Sequence, residues 1–272
     1  MTLDGLTDEP QRNLIERAKV VAADDDRILA AWLVGSYATG QADAYSDVDL
    51  HCLISDESTD WFREHWAETA SAMLGPTVLE RSLPGMIGGF CLTPDWLHLD
   101  LILHPRSELD PHTVTGLTPL YDGSGDLLPK QPKPRVIFDK PYFPDQTIAL
   151  FLYYLGNLPV GPGRGELVMM HGGIFTWRDL LIEVMLAENG VRKRGGKKRL
   201  NPLLTDEQRR VLESIPIPGM DMDDILDCLH VVTREILHRG KALARHTATP
   251  WPQALEDAAM ANVHRHLGLD FR

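Results

Sequence analysis

The first half of the chain alternates between helical spacing and short apolar runs. Helically spaced apolar residues predict a helix over about residues 7–24, with Thr7 as a capping residue. Residues 27–34 are almost continuously apolar, which is typical of a strand covered on both faces. After a second predicted strand at 47–54, Ser58 is predicted to cap a helix that stops at Gly75. This half should therefore combine helices with a sheet.

The sheet ends before the middle of the chain, and a different pattern follows it. Four short β-type runs complete the predicted sheet, and they span 77–83, 86–92, 96–104 and 117–122. Prolines then cluster between residues 129 and 144, and the segments beyond them have helical spacing, at about 145–157, 166–189, 205–214, 221–245 and 251–266. The predicted fold class is α+β: a mixed sheet with flanking helices in residues 1–143, followed by an all-α domain in residues 144–272.

Charge and composition narrow the function classes. The formal net charge of −12 argues against general nucleic-acid binding, which needs a basic surface, and suits a cationic partner or metal ions. Three widely separated cysteines are expected to be reduced, buried thiols without a metal-binding spacing. The sequence has no secretory signal at its start and no run of eighteen apolar residues, so we expect no membrane span and a cytoplasmic location.

Alternation along two predicted strands places acidic residues on one face. Side chains at positions i and i+2 share a face of a strand, so Asp47 and Asp49 lie opposite an apolar face of Val48, Leu50, Cys52 and Ile54. In residues 96–104 an unbroken leucine face lies opposite Asp100. If these two strands pair, the three carboxylates converge.

Three carboxylates in one partly buried place repel one another, and a divalent cation removes that repulsion. All-oxygen sites of this kind favour Mg²⁺ or Mn²⁺. Asp47 and Asp49 are about 6.6 Å apart along a strand, so their carboxylates can lean together over two ions roughly 3.5–4 Å apart. We therefore predict that Asp47, Asp49 and Asp100 are catalytic residues and the ligands of two Mg²⁺ ions, with Mn²⁺ as the alternative.

Gly35 and Ser36 end the first predicted strand. A glycine there lets backbone N–H groups approach a phosphate closely, and the serine hydroxyl adds a further donor. A short helix starting in residues 36–40 would add its N-terminal dipole. Beside the acidic residues, this pair predicts a cradle for a nucleoside triphosphate.

The ordered set in residues 27–104, Gly-Ser, a spacer, Asp-Val-Asp and a later strand Asp, resembles the DNA polymerase beta-type nucleotidyltransferase superfamily. An α-helical second domain makes the chain similar to the small aminoglycoside and lincosamide adenylyltransferases, as do two shorter matches at 119–127 and 163–171. The resemblance implies transfer of a nucleoside monophosphate, usually AMP from ATP, to a hydroxyl group, with Mg²⁺ and release of pyrophosphate. Drug resistance would follow by analogy only.

Several assignments stay open at this level. The match at 163–171 implies that Arg164 clamps phosphate and that Glu166 serves as a catalytic base, although Asp100 could also take the proton and Glu166 could merely begin a helix. His51 and His98 lie on the acidic faces and either orient a carboxylate, touch phosphate or pack near the core. The basic run 191–199 either reaches the triphosphate or is a solvated loop.

Three function classes remain. The first is a nucleotidyltransferase acting on a small hydroxylated acceptor, which the acidic chain suggests is cationic. The second is a nucleotide-binding regulatory or antitoxin-like module, and the third is an enzyme that nucleotidylates a protein or RNA. A complete acidic triad favours the first class, because a protein that only binds nucleotide does not need all three acids. The acceptor, the preferred triphosphate and assembly as a homodimer stay open.

Overall fold

A computed structural model describes residues 9–133, 138–192 and 199–271. The chain folds as two compact units, Met1–Arg135 and Val136–Arg272, and each is one continuous segment. The division lies within the proline-rich segment 129–144. Within the second unit, Phe143 packs into the core and the Tyr142 hydroxyl donates a hydrogen bond to the Val191 carbonyl at 3.2 Å.

The first unit is built on a six-stranded sheet whose spatial order is β3-β4-β5-β2-β1-β6. Its strands are β1 (Ile28–Leu33), β2 (Val48–Ile54), β3 (Leu79–Ser82), β4 (Ile87–Leu92), β5 (His98–Pro105) and β6 (Thr118–Asp122). Three helices accompany them: α1 (Glu9–Asp24), α2 (Gly35–Thr39) and α3 (Thr59–Leu74). β2 and β5 run parallel and the other neighbouring strands run antiparallel, so the predicted mixed sheet is confirmed.

One face of this sheet packs on α1 and α3. The alternating apolar residues of β2 and the leucines of β5 are fully or almost fully buried in one cluster with Phe62 and Trp66 of α3. Burying a side chain of this size contributes about 1.5–3 kcal/mol relative to exposure. Burial of this apolar face fixes which side chains of β2 and β5 point into the core. Asp49 and Asp100 alternate with those side chains and therefore lie on the opposite face of the sheet.

The second unit is helical. Its helices are α4 (Asp145–Asn157), α5 (Val160–Arg164), α6 (Leu167–Glu188), α7 (Asp206–Ser214), α8 (Met222–His246) and α9 (Gln253–Leu267). They share one core that includes Phe151, Leu181 and Val232. Five of the six helices were predicted from spacing, whereas the short α5 was not, because a Gly-Pro-Gly sequence has poor helical propensity. The α+β class is thus confirmed.

An ion-pair network centred on one nearly buried arginine joins three helices of the second unit. The Arg239 guanidinium of α8, one-tenth exposed, lies 3.0 Å from Glu188 of α6 and also pairs with Glu207 of α7. Glu235, one turn earlier on α8, is a third partner at 3.2 Å. Arg239 is thus engaged in holding helices together.

Smaller predictions have mixed outcomes. The three cysteines are free and buried, as expected. Ser58 precedes α3, but its hydroxyl lies 2.6 Å from that of Ser55 and does not cap the helix. Thr7, the predicted cap of α1, lies outside the described residues. Among the helices that the structure describes, none is both long enough and apolar enough to cross a membrane.

Candidate functional site

The parallel pairing of β2 and β5 brings the predicted acidic residues together. Asp49 and Asp100 are directly opposite one another in this ladder, just as Val48 is opposite Leu99. Both lie near the first residues of their strands, at the same edge of the sheet where β1 ends. The strand pairing on which the predicted convergence depended is therefore present, and it places Asp49 beside Asp100.

A group of possible metal ligands lies at this edge. Asp47, His98 and Asp100 each offer one ligand atom, and these atoms all lie within 4.8 Å of one another. His98 Nε2 donates a hydrogen bond to Asp100 Oδ1 at 2.8 Å, and His98 Nδ1 lies 3.9 Å from Asp47 Oδ2. Phe90 packs against the imidazole at 5.6 Å between ring centroids. Of the interpretations left open for His98, the structure supports the one in which it orients a carboxylate.

The Asp49 carboxylate lies against the backbone of Gly35. A Cβ atom on Gly35 would be 2.1 Å from Asp49 Oδ2, and Gly35 has a φ of +64°, a conformation that favours glycine. The Val34 N–H also donates to the Asp49 carbonyl at 3.0 Å, which fixes the end of β1 beside the start of β2. Gly35 is therefore required by Asp49 itself, a reason that the sequence alone did not give.

Ser36 lies in the short helix α2 that follows Gly35, so the helix predicted within residues 36–40 is present and includes Gly35. Among the residues that the structure describes, no hydrogen-bond partner is found for the buried Ser36 Oγ. An unpartnered buried hydroxyl costs about 1–3 kcal/mol, which a ligand oxygen can offset. Thr39 Oγ1 donates to the Gly35 carbonyl at 3.0 Å and closes this turn. The Ser36 hydroxyl thus fits the predicted role in phosphate binding.

We expect Ser36→Ala to weaken nucleotide affinity by about 5–10-fold, because one neutral hydrogen bond contributes about 1 kcal/mol and backbone donors remain. Protein stability should be unchanged or slightly higher, since the lost hydroxyl is unpartnered in the free protein. Calorimetric titration with nucleoside triphosphate measures the affinity, and Ser124→Ala, at an exposed serine of the same unit, is the control. Equal affinities in the two variants would make Gly35-Ser36 an ordinary strand terminus.

Two half-buried histidines form a pair further along the acidic face. His104 Nε2 lies 2.9 Å from His51 Nδ1, and the His104 ring stacks on Trp32 at 5.8 Å between centroids. Burial lowers the pKa of His51 to about 4, assisted by the neighbouring His104. The pKa of His104 is also lowered by burial. For His51 the near-core interpretation therefore holds.

This pair predicts a loss of stability in mild acid. An unfolded His51 takes up a proton near pH 6.5 and the folded one near pH 4, so the unfolded state binds more protons between these values. The free energy of unfolding should fall by about 1–3 kcal/mol as pH decreases from 6.5 towards 4. Urea unfolding of His51→Gln at pH 7.5 and 5.0 should show a smaller difference than wild type. The exposed His112→Gln is the control, and a matching difference in His51→Gln would contradict this origin.

The remaining predicted residues lie in the second unit. Arg164 is the exposed last residue of α5, and Glu166 is an exposed residue directly before α6 whose side chain does not cap that helix. Their roles stay predictions. Of the basic run 191–199, residues 193–198 lie outside the described residues. The Arg192 guanidinium lies over the Tyr142 ring at 4.2 Å.

The donor set can be compared with the chemistry of the predicted ions. Asp47 and Asp100 contribute carboxylate oxygens to the group with His98, and Asp49 lies opposite Asp100 in the ladder. Oxygen ligands of this kind suit Mg²⁺ and Mn²⁺. The unpartnered Ser36 hydroxyl lies in the helix that begins at Gly35, and Gly35 in turn contacts Asp49. The residues present therefore fit a divalent cation beside a phosphate group.

A comparison with protein families covers part of this site. Residues 15–77 match the model of the nucleotidyltransferase domain family, a segment that includes Gly35, Ser36, Asp47 and Asp49. The crystal structure of an aminoglycoside 6-adenyltransferase from Bacillus subtilis superposes with a TM-score of 0.39 at 16% identity, over 94% of this chain and 97% of that one. None of the curated protein sequences matches the chain.

The class of protein follows from the family match together with the paired acidic strands. Residues 15–77 match a nucleotidyltransferase domain, and the chain is an enzyme of the class that transfers nucleotidyl groups. The family match confirms the resemblance to nucleotidyltransferases that the motif in residues 27–104 predicted. Asp100 lies beyond the matched segment, and only the sheet pairing connects it to Asp49.

Proposed function

We propose that this enzyme transfers AMP from ATP to a hydroxyl group of a small cationic molecule, such as an aminoglycoside or lincosamide, and releases pyrophosphate. The observation that carries the proposal is the pairing of Asp49 with Asp100 beside the Gly35-Ser36 turn. This arrangement combines acidic ligands with a phosphate-binding turn, the two parts that nucleotidyl transfer needs. The choice of acceptor class comes from the sequence resemblance and from the net charge of −12.

The residues act in a definite order in this proposal. The Ser36 hydroxyl and the backbone N–H groups of its turn bind the triphosphate oxygens and hold the α-phosphorus near the acidic edge. Asp47, Asp49 and Asp100 would hold two Mg²⁺ ions, with Mn²⁺ as the alternative. Such ions neutralise charge on the attacking and leaving oxygens. Gly35 keeps the Asp49 carboxylate in position, because any side chain there would displace it.

The proton of the acceptor hydroxyl needs a base. We assign this role first to Asp100, because it lies in the site beside Asp49 and its Oδ1 is held by His98. Glu166 is the alternative base, and Arg164 a phosphate clamp, both supplied by the second unit if the resemblance holds for these residues. In this proposal residues 1–143 form the catalytic domain and residues 144–272 the acceptor-binding domain.

Glu166→Gln separates the two candidate bases. With Asp100 as the base, we expect the transfer rate to change by less than about threefold, since Glu166 would serve only at the start of α6. A fall of about 10²–10⁴-fold with unchanged nucleotide affinity would instead assign the base to Glu166. Single-turnover transfer from radiolabelled nucleotide measures the rate. Glu183→Gln on the same helix is the control.

The proposed function is tested by pyrophosphate release. Each nucleoside triphosphate is incubated with Mg²⁺ or Mn²⁺, the full-length protein and a panel of aminoglycosides, lincosamides and neutral polyols. We expect release that depends on ATP and on a cationic hydroxylated acceptor, with an acceptor mass increased by one AMP. Pyrophosphate release only when a protein or an RNA is the acceptor would instead assign a macromolecular substrate to the enzyme. Nucleotide binding without release in any mixture would favour the regulatory module.

The purified protein and the cells that produce it also allow tests of the predicted homodimer and of the predicted cytoplasmic location. Sedimentation velocity of the purified protein distinguishes a monomer from the predicted homodimer at micromolar concentration. Fractionation of cells that produce the full chain locates it, and cytoplasmic recovery is the expected result. A homodimer would leave the catalytic proposal unchanged, because Gly35 and the paired residues Asp49 and Asp100 belong to one chain.

A further inference from the structure

His98 has a geometry that goes beyond support of a carboxylate. Its Nε2 donates to Asp100 Oδ1 at 2.8 Å, and an imidazole whose one nitrogen carries the proton has a lone pair on the other. That other nitrogen, Nδ1, lies 3.9 Å from Asp47 Oδ2. The separation is too long for a hydrogen bond. Two electron-pair donors thus lie near one another across a gap.

The separation of these two atoms is close to that of opposite ligands around a cation. Ligands in an octahedral shell at about 2.1 Å from the ion lie about 3 Å apart when adjacent and about 4.2 Å apart when opposite. The 3.9 Å between His98 Nδ1 and Asp47 Oδ2 is about 0.3 Å short of the opposite separation, so a small movement of either side chain lets both atoms reach one ion. A metal-binding histidine also commonly donates its second N–H to a carboxylate, which fixes its ring. Asp100 provides that carboxylate.

We propose that His98 is itself a metal ligand, through Nδ1, and that it makes the enzyme prefer Mn²⁺ to Mg²⁺. The inference rests on the proposed function for the location of the ion, and it adds a nitrogen to a site otherwise built from oxygen. Imidazole nitrogen favours transition-metal ions, whereas Mg²⁺ is held mainly by oxygen ligands. Asp47 and Asp100 then act on opposite sides of the imidazole, Asp47 as a second ligand of the same ion and Asp100 as the group that orients the ring.

The sequence carries the signal for this role in the spacing of His98 and Asp100. Both lie on the same face of β5, and the residue before β2, Asp47, faces the histidine across the parallel ladder. Partial exposure of the three side chains, between 21% and 31%, leaves room for water ligands and phosphate oxygens to complete a coordination shell. Phe90 covers one side of the ring and restricts its rotation.

The experiment detects the nitrogen directly in the full-length protein. Mn²⁺ is added with pyrophosphate, which contains no nitrogen, and electron spin-echo modulation is recorded. We expect coupling to one histidine ¹⁴N that shifts to ¹⁵N frequencies when the protein contains ¹⁵N-histidine. His98→Gln should lose the coupling and bind Mn²⁺ about 10–100-fold more weakly by calorimetry. His112→Gln, at an exposed histidine of the same unit, should retain both.

His98→Asp gives a second, independent measurement. The substitution replaces the imidazole nitrogen by a charged carboxylate oxygen. The ratio of Mn²⁺ to Mg²⁺ affinity should therefore fall at least about tenfold relative to wild type. Absence of nitrogen coupling in loaded wild type, or its persistence in His98→Gln, would overturn the ligand assignment even if nucleotidyl transfer is normal. Nitrogen coupling in a protein that releases no pyrophosphate from any triphosphate would leave the ligand in place and overturn the proposed function instead.

Discussion

Asp49→Asn should lower the rate of nucleotidyl transfer by about 10³-fold or more at saturating nucleotide. The variant keeps the shape of the side chain and removes the charge that binds the predicted ions, which provide several kcal/mol of transition-state stabilisation. Asp49 also lies directly opposite Asp100, so its loss of charge also changes the electrostatic surroundings of Asp100. Asp47→Asn should behave similarly, since its carboxylate belongs to the group formed with His98 and Asp100.

The measurement compares single-turnover rates in Mg²⁺ and in Mn²⁺. Asp95→Asn removes the same charge at an exposed position of the same unit and should retain the wild-type rate. Circular dichroism and urea unfolding verify that each variant is folded. A transfer rate within about tenfold of wild type for Asp49→Asn, at high concentrations of both ions, would contradict the prediction that Asp47, Asp49 and Asp100 form a metal site.

Gly35→Ala should remove most of the activity without a change in any acidic residue. The added methyl group would meet Asp49 Oδ2 at 2.1 Å, so the carboxylate has to move, and φ at +64° adds strain of about 1–2 kcal/mol. We expect a fall in transfer rate of about 10²–10³-fold, because displacement of a catalytic group by about 1 Å costs about 10²-fold. Stability should fall by more than the strain alone.

Gly85 offers a matched control for this experiment. It has a similar φ of +76°, in the turn between β3 and β4, but nothing lies within 4 Å of the position its Cβ would take. Gly85→Ala therefore reports the backbone strain without the contact, and it should keep the wild-type rate while losing about 1–2 kcal/mol of stability. If Gly35→Ala is as active as Gly85→Ala, the contact with Asp49 has no catalytic role.

The elements of the fold were predictable because periodicity depends on local sequence. The leucine face of residues 97–103 and the alternation in 47–54 both predicted strands that the structure contains, at nearly the predicted bounds. Alternation does not determine which strands are neighbours, however. The parallel pairing of β2 with β5 was a condition in the prediction, because nothing local to either strand specifies its partner.

For the site, too, the sequence predicted the strand faces of the residues but not the contacts between them. Asp47, Asp49 and Asp100 could be assigned to faces of predicted strands. The part played by His98 depends on distances of 2.8 Å to Asp100 on its own strand and 3.9 Å to Asp47, directly before β2. The contact between Gly35 and Asp49 is also non-local, since fourteen positions separate them. Arg164 and Glu166 came from a short resemblance alone, and their roles stay predictions that mutation has to decide.

The order of strands has a consequence for anyone who shortens this protein. A fragment limited to the matched residues 15–77 would end before β5, the strand that pairs with one side of β2. The apolar strand β2 would then present unpaired N–H and carbonyl groups, and exposed apolar edge strands promote aggregation. Such a fragment is expected to precipitate on expression, whereas a cut after the last strand, β6, keeps every interior strand of the sheet covered.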